Sequence, residues 1–295
     1  MKILVLVLLF ILKINIFPGT LIVYDNVNLK QKDLDFINSV SREAFLKINQ
    51  FFYGKGRHSD LSIDLFIQTR EKIESIENIR LSDSILGLAI PSNNRIYLIY
   101  PFRNITNYPY NSLPSLIYHE IFHLVLDDYL GSAVVPLWLN EGTAMHLSRE
   151  FIGEKFLLLS WATTFNRLIP LYKLTYSFPE DLTTLSYIQS HHAVAYIVEK
   201  NGETSLQILF ERIRRTGNFE SAFIETYGKS SLDFSKDWEE HVKKEYNFLT
   251  FILQRNVLWA IFAFILIILL PIKKYLSKKK MEKWKEDEEP DLESD

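Results

Sequence analysis

An apolar segment near the C-terminus, residues 257–272, is the feature that most constrains this chain. It contains no charged side chain. Flanking residues between 248 and 275 extend it toward the roughly 17–25 residues that a membrane-spanning helix needs. We therefore predict a single transmembrane helix over 257–272.

The basic residues around this segment predict its orientation. Seven lysines follow it within fifteen residues, whereas the fifteen residues before it contain three basic side chains. Positively charged flanks stay on the cytoplasmic side of a membrane. We therefore expect 273–295 to be a charged cytoplasmic tail and 20–256 to be an extracytoplasmic domain, either periplasmic or extracellular.

The N-terminus has the layout of a secretory signal peptide. Lys2 precedes an apolar run at 3–12, and a Phe-Pro-Gly-Thr break follows at 17–20. A charged start, a short apolar region and a small residue near the end are typical of such signals. We predict a signal peptide over 1–19, although a buried first strand or helix would produce a similar pattern.

Composition excludes several functional classes. The chain of 295 residues has 33 basic and 36 acidic side chains, a formal charge of −3. No basic run alternates with aromatic residues, so we expect no nucleic-acid partner. The chain contains no cysteine, which excludes disulfides, thiolate zinc sites and a cysteine nucleophile. Any metal must be held by nitrogen and oxygen ligands.

No repeat or low-complexity linker divides residues 20–256, and we treat them as one α+β domain with two lobes. The first is a small mixed β-sheet lobe, in which periodicity predicts strands at 21–24, 61–67 and 95–100 and a helix at 34–52. The second is a helical C-terminal lobe, with helices expected at 114–129, 136–150, near 153–168, 187–200, 203–215, 219–227 and 231–250.

The helix expected at 114–129 contains the motif H-E-x-x-H, formed by His119, Glu120 and His123. The two histidines are four residues apart, so both imidazoles leave the same helix face and can share one metal ion. The rest of the helix is apolar. Two histidines and a glutamate within such a surface would be costly to desolvate unless something bound them, which favours a metal over a purely structural role.

A third ligand is expected because a catalytic zinc ion usually takes three protein ligands and keeps one position for water. Glu141 is the first choice, since it lies eighteen residues after His123 in a helix that Pro136 begins. Gly142 beside it would allow this helix to pack closely on the H-E-x-x-H helix. The competing candidates are Asp127, His146, His191 and His192.

The motif H-E-x-x-H followed by Trp-Leu-Asn-Glu-Gly at 138–142 resembles the gluzincin zinc metallopeptidases, which include thermolysin, the aminopeptidase-N-like enzymes and the bacterial peptidase-MA-like domains. The resemblance is specific over about 114–150. Seventeen residues separate His123 from Glu141, where the aminopeptidases usually have eighteen. The resemblance implies a thermolysin-like two-lobed domain that binds one zinc ion per chain through His119, His123 and Glu141.

The same resemblance implies a later tyrosine that stabilises the tetrahedral intermediate. In the aminopeptidases this tyrosine begins a helix, a second aromatic residue follows after nine positions, and a glycine follows six beyond that. Tyr187, Tyr196 and Gly202 stand at these intervals. A packing role for Tyr187 remains open, and His191 and His192 are rivals for the function.

One part of the aminopeptidase pattern is missing. Their glycine-rich segment, whose glutamate holds the free amine of the substrate, has no clear counterpart before His119. The resemblance therefore does not decide between an endopeptidase and an exopeptidase.

These features predict a membrane-anchored zinc metallopeptidase that hydrolyses peptide bonds through a zinc-activated water, with Glu120 as general base and Tyr187 as a donor to the oxyanion. The expected partners are a peptide or protein substrate and the membrane. The substrate backbone could pair with the edge of the strand at 95–100. The alternative is a membrane-tethered binding or assembly module with a structural or inactive metal site, and the oligomeric state stays open.

Overall fold

The computed structural model of the chain describes residues 19–54, 59–83, 85–102, 112–149, 156–253 and 255–288. Nearly all of the predicted signal peptide and the last residues of the predicted tail lie outside the described residues. At the coarse level the predicted class is confirmed: the chain is α+β and mostly helical, with a small sheet and one apolar C-terminal helix.

The described residues form four strands and eleven α-helices. The strands are β1 (Thr20–Asp25), β2 (Ser62–Thr69), β3 (Gly87–Ile90) and β4 (Arg95–Tyr100). The helices are α1 (Gln31–Tyr53), α2 (Arg70–Glu77), α3 (Leu113–Leu130), α4 (Leu137–Leu147), α5 (Phe156–Thr164), α6 (Thr183–Asn201), α7 (Thr204–Thr216), α8 (Phe219–Tyr227), α9 (Ser231–Glu245), α10 (Phe248–Ile252) and α11 (Arg255–Glu288). The predicted helices are present with ends shifted by a few residues, and α2 lies where no helix is predicted.

The sheet has the strand order β1-β2-β4-β3. β1, β2 and β4 are parallel, and β3 runs antiparallel to β4. Most apolar side chains of β2 and β4 are buried, as expected for the two central strands of the sheet; Phe66 is half-buried and Tyr100 is exposed at the end of β4. Helix α2 covers one face through a cluster that includes Ile73, Tyr97 and Ile99.

The position of β4 contradicts one expectation. Its two edges are paired with β2 and β3, so a substrate cannot pair with the strand at 95–100. The edge at this end of the described sheet belongs instead to β3, because the chain turns through Pro91–Asn93 and returns antiparallel.

Helix α3 forms the centre of the domain. Its first turn is capped by Ser112, whose Oγ accepts a hydrogen bond from the backbone of Ser115, and Pro114 fits the start of the helix. Gly131 ends the helix with a positive φ of 61°. Between these ends most side chains are buried, as is typical of a helix that is packed on nearly all sides.

Helix α4 packs tightly against α6, and Gly142 makes this possible. A Cβ atom at Gly142 would overlap the carbonyl oxygen of Ser190 and lie 2.7 Å from Val194 Cγ2. The expectation that this glycine lets α4 approach the H-E-x-x-H helix is therefore wrong, because the close neighbour is α6. Trp138 anchors the first turn of α4 by stacking on Phe234, with ring centroids 6.1 Å apart.

The described residues between 19 and 149 and between 169 and 241 form one compact unit, which contains the sheet and α3, α4 and α6. The described residues between 156 and 168 and between 242 and 288 form a second unit, which contains α5, α10 and α11. Within α11 the stretch Leu258–Met281 is long and apolar enough to cross a membrane, and none of it is buried inside the structure.

Candidate metal centre

Three side chains from two helices converge on one point. His119 and His123 extend from α3, and Glu141 extends from α4, so that one potential ligand atom of each lies within 4.8 Å of the others. His119 Nε2 is 3.1 Å from Glu141 Oε2, and His123 Nε2 is 3.8 Å from the same oxygen. Two imidazole nitrogens and a carboxylate oxygen are the donor set that zinc takes in many catalytic sites. The group can therefore bind a metal.

Electrostatics favour the protonation states that a metal needs. Burial lowers the pKa of His123, partly opposed by the charge of Glu141. Burial by itself would raise the pKa of Glu141, but the charge of His123 and a hydrogen bond with His119 outweigh it and lower the pKa. The charge that lowers the pKa of Glu141 belongs to the protonated imidazole, whereas burial favours loss of that proton from His123. A metal cation can replace the proton, because it leaves the imidazole neutral and still places positive charge beside the carboxylate.

Asn140 orients one of the histidines, a role that the sequence analysis did not assign. Its Oδ1 lies 3.0 Å from His123 Nδ1. Because an amide oxygen only accepts, Nδ1 carries the hydrogen and Nε2 keeps its lone pair toward Glu141. One sequence feature could have indicated this role: Asn140 immediately precedes Glu141, the first choice for the third ligand.

Glu120 follows His119 in the same helix turn, lines the same side of the cleft and is 3% exposed. Its carboxylate fits against the backbone of β3. A Cβ atom on Gly87 would lie 2.6 Å from Glu120 Oε1 and 2.6 Å from Leu116 Cδ1. Any larger residue at this position would have to displace the glutamate or the strand, so Gly87 is part of what positions Glu120.

A cleft of about 1190 Å³ opens over these groups. Glu120 and the three metal-binding candidates line it, together with Leu88 and Ala89 of β3, Asp127 of α3 and Tyr187 of α6. Tyr187 is half-buried in the second turn of α6, where its ring packs edge-on against Phe178 with centroids 5.0 Å apart. The structure thus brings every predicted site residue to one cleft.

The rival residues lie elsewhere, apart from Asp127. The rings of His146 and His191 are 6.2 Å from each other, and His146 lines a separate crevice beside Tyr118. His192 is buried and accepts a hydrogen bond of 3.0 Å from Trp238 Nε1. Burial lowers the pKa of His192 to about 4, so its ring is neutral at physiological pH. Among the described residues, only His119, His123 and Glu141 form a group able to hold a metal.

The role of Asn140 can be tested through metal affinity. Asn140→Ala should weaken zinc binding by about 10–100-fold, the usual cost of losing a hydrogen-bond partner of a metal ligand. Glu141→Ala should weaken it further because a direct ligand is lost. Competition with a chromophoric chelator measures both affinities. Asn38→Ala is the matched control, since its amide bonds only within α1; zinc binding in Asn140→Ala as tight as in this control would contradict the assignment.

Comparison with known proteins agrees with this geometry. The family model described as the peptidase MA superfamily matches residues 87–244, more than half of the chain. The matched region begins at β3, ends in α9 and includes every residue of the metal centre. A search of curated proteins found no match. The family match confirms the resemblance to the gluzincins, and the chain belongs to the peptidase MA superfamily.

Proposed function

We propose that this protein is a zinc-dependent peptidase that hydrolyses peptide bonds in the cleft above α3. The observation that carries the proposal is the convergence of His119, His123 and Glu141 within 4.8 Å, with Glu120 in the same cleft. Membership of the peptidase MA superfamily supports a peptide or protein as the substrate.

His119, His123 and Glu141 would hold one zinc ion per chain. When bound, zinc polarises a carbonyl group and lowers the pKa of water toward about 7. Each of the three residues supplies a donor atom of the kind that zinc prefers, and Asn140 holds the His123 ring in the tautomer that suits binding.

Glu120 acts as the general base. It is adjacent in sequence to one ligand candidate, stands outside the converging trio and lines the same cleft, which is where a base must lie to take a proton from the attacking water. The same group then passes the proton to the leaving amine. Its burial against Gly87 supports this role, because a fixed carboxylate loses little freedom when the reaction begins.

The edge of β3 binds the substrate backbone. The hydrogen bond from Ile99 N to Leu86 O assigns Leu86, Leu88 and Ile90 to the pairs that bond with β4. In an antiparallel ladder the residues between these pairs direct their backbone N–H and C=O groups away from the partner strand, here away from β4. Gly87 and Ala89 therefore offer backbone groups to an extended peptide in the cleft, a form of β-augmentation.

Tyr187 donates a hydrogen bond to the carbonyl oxygen as negative charge develops on it. Its place in the cleft lining supports this role over His191 and His192, neither of which lines the cleft. Tyr196 and Gly202, the residues spaced after it, have structural tasks: Tyr196 stacks on His241 at 4.5 Å, and Gly202 ends α6 with a φ of 79°.

We further propose that the protein is anchored by one helix, with residues 20–256 outside the cytoplasm and 273–295 inside. Support comes from the exposed apolar stretch of α11 and from the lysine-rich sequence that follows residue 272. A signal peptide over 1–19 and a thermolysin-like pair of lobes complete the proposed layout.

The general-base role predicts a specific separation of activity from metal binding. Glu120→Gln should keep full zinc content and lower kcat by at least about 10²–10⁴-fold, because an amide cannot accept the proton. Cleavage of a peptide library, followed by mass spectrometry, measures the effect against Glu211→Gln, an exposed control on α7. If the zinc-loaded parent cleaves no peptide, the alternative of a tethered binding module with a structural metal replaces the catalytic proposal.

The tyrosine can be tested by removing only its hydroxyl group. Tyr187→Phe should lower kcat by about 10²–10³, the usual loss for one oxyanion donor, with KM and zinc content nearly unchanged. Tyr196→Phe is the matched control because it lies on the same helix and outside the cleft lining. Equal kcat values for the two variants would make Tyr187 a packing residue.

The topology predicts the outcome of protease protection. Protease that reaches the outer face of the cytoplasmic membrane should digest residues 20–256 and spare a tag placed after Asp295. Immunoblotting of the tag and of the domain measures both. A domain protected in sealed cells, together with a digested tag, would reverse the proposed orientation.

A further inference from the structure

The ionisable groups of the cleft are predominantly acidic. Among the described residues that line it, none is lysine or arginine. Glu120 and Glu141 already have roles in the proposed mechanism, as general base and metal ligand. The other two carboxylates in the lining belong to Asp127 and Glu180. A cleft with low-dielectric walls focuses the field of such charges onto whatever enters it.

Asp127 is placed next to the reaction centre by the helix repeat. It follows His123 by four residues on α3, so it lies on the same face about 6 Å further along the axis. Its neighbour Asp128 faces another direction, where its Oδ2 accepts hydrogen bonds of 2.6 Å from Tyr53 and from Ser59. Of the two adjacent carboxylates, only Asp127 lines the cleft.

No described residue forms a hydrogen bond or an ion pair with the carboxylate of Asp127. The residue is exposed, but the protein around its carboxylate partly removes water from it and raises its pKa, and the charge of Asp128 raises the pKa further. A positively charged group that entered the cleft beside Asp127 would oppose both effects. The local structure therefore favours a cation at this point.

Glu180 has a different setting. It lies in the short turn Glu180–Leu182 that leads directly into α6, so its charge is beside the positive end of a 19-residue helix. That helix end offsets the charge without any ligand. Glu180 thus provides a carboxylate in the same cleft that serves as a comparison for Asp127.

We propose that Asp127 is a specificity residue that recognises a positively charged group of the peptide, bound one helical turn from the metal ligands. This inference rests on the proposed peptidase function and names its substrate class: peptides that place a cation beside Asp127. The cation is either a lysine or arginine side chain or the free α-amine of the peptide. Peptides with a carboxylate at that position are rejected, because the described lining offers it no cation.

Peptide binding tests the inference without requiring turnover. The protein is the zinc-loaded full-length chain in detergent with Glu120→Gln, so that bound peptide is not cleaved. The ligands are fluorescent peptides of one sequence in which a central residue is lysine, norleucine or glutamate, each with a free and an acetylated N-terminus. Fluorescence anisotropy gives the Kd of each peptide for this protein and for versions that also carry Asp127→Asn, Asp127→Lys or Glu180→Gln.

We expect a cationic peptide to bind about three- to fivefold more tightly than its neutral match, as for an ion pair with an exposed carboxylate. The comparison of lysine with norleucine peptides tests recognition of a side-chain cation, and the comparison of free with acetylated N-termini tests recognition of the α-amine. The preference should fall below about twofold in Asp127→Asn, reverse toward glutamate in Asp127→Lys, and persist in Glu180→Gln.

Three results would overturn the inference: no charge preference in the parent protein, an unchanged preference in Asp127→Asn, or an equal loss in Glu180→Gln. The last result would mean that a diffuse field, rather than Asp127, selects the peptide. Failure of the proposed function is a separate observation, since it is the absence of cleavage of every peptide by the zinc-loaded protein with Glu120 intact.

Discussion

The site depends on the burial of helix α3. Nearly every side chain of this helix packs against the rest of its unit, and Phe122, Leu124 and Val125 are at most 1% exposed. Such packing fixes the rotation of the helix about its axis, because turning it would expose these groups and force polar ones inside. Only one stripe is left to face the cleft, and it contains His119 and His123. The buried apolar faces therefore set the direction in which the two imidazoles point, and burial also lowers the pKa of His123.

The parts of the site that follow from local geometry could be predicted from the sequence. A spacing of four residues puts two histidines on one helix face in any α-helix, so their convergence needed no knowledge of the fold. Several helix ends could also be predicted from nearby residues alone. Glycines at 131, 202, 217 and 228 end α3, α6, α7 and α8 with positive φ angles. Glu141 was different, because its approach depends on how α4 packs. Its prediction therefore relied on the sequence context Trp-Leu-Asn-Glu-Gly and left other ligands open.

What the sequence did not reveal depends on contacts between distant segments. β3 is four residues long, and its place at the edge of the sheet follows only from its antiparallel pairing with β4. Gly87 and Gly142 each mark a close approach, one of β3 to Glu120 and the other of α4 to α6. A glycine shows that space is needed but not which element fills it. For this reason the close helix pair at Gly142 was predicted wrongly from the sequence, and the contact of Gly87 with Glu120 was not predicted.

The adjacent residues Asp127 and Asp128 show how one helix can direct two neighbouring carboxylates into different surroundings. Successive residues of an α-helix are rotated by about 100°, so two neighbouring carboxylates meet different surroundings. Asp128 meets the hydroxyl groups of Tyr53 and Ser59 and ties α3 to the end of α1 and the residues before β2. Asp127 meets the cleft. Because the buried faces of α3 fix its rotation, the orientation in which Asp128 contacts Tyr53 and Ser59 also directs Asp127 into the cleft. Exchanging the two surroundings would require the helix to rotate, and that rotation would turn His119 and His123 away from Glu141.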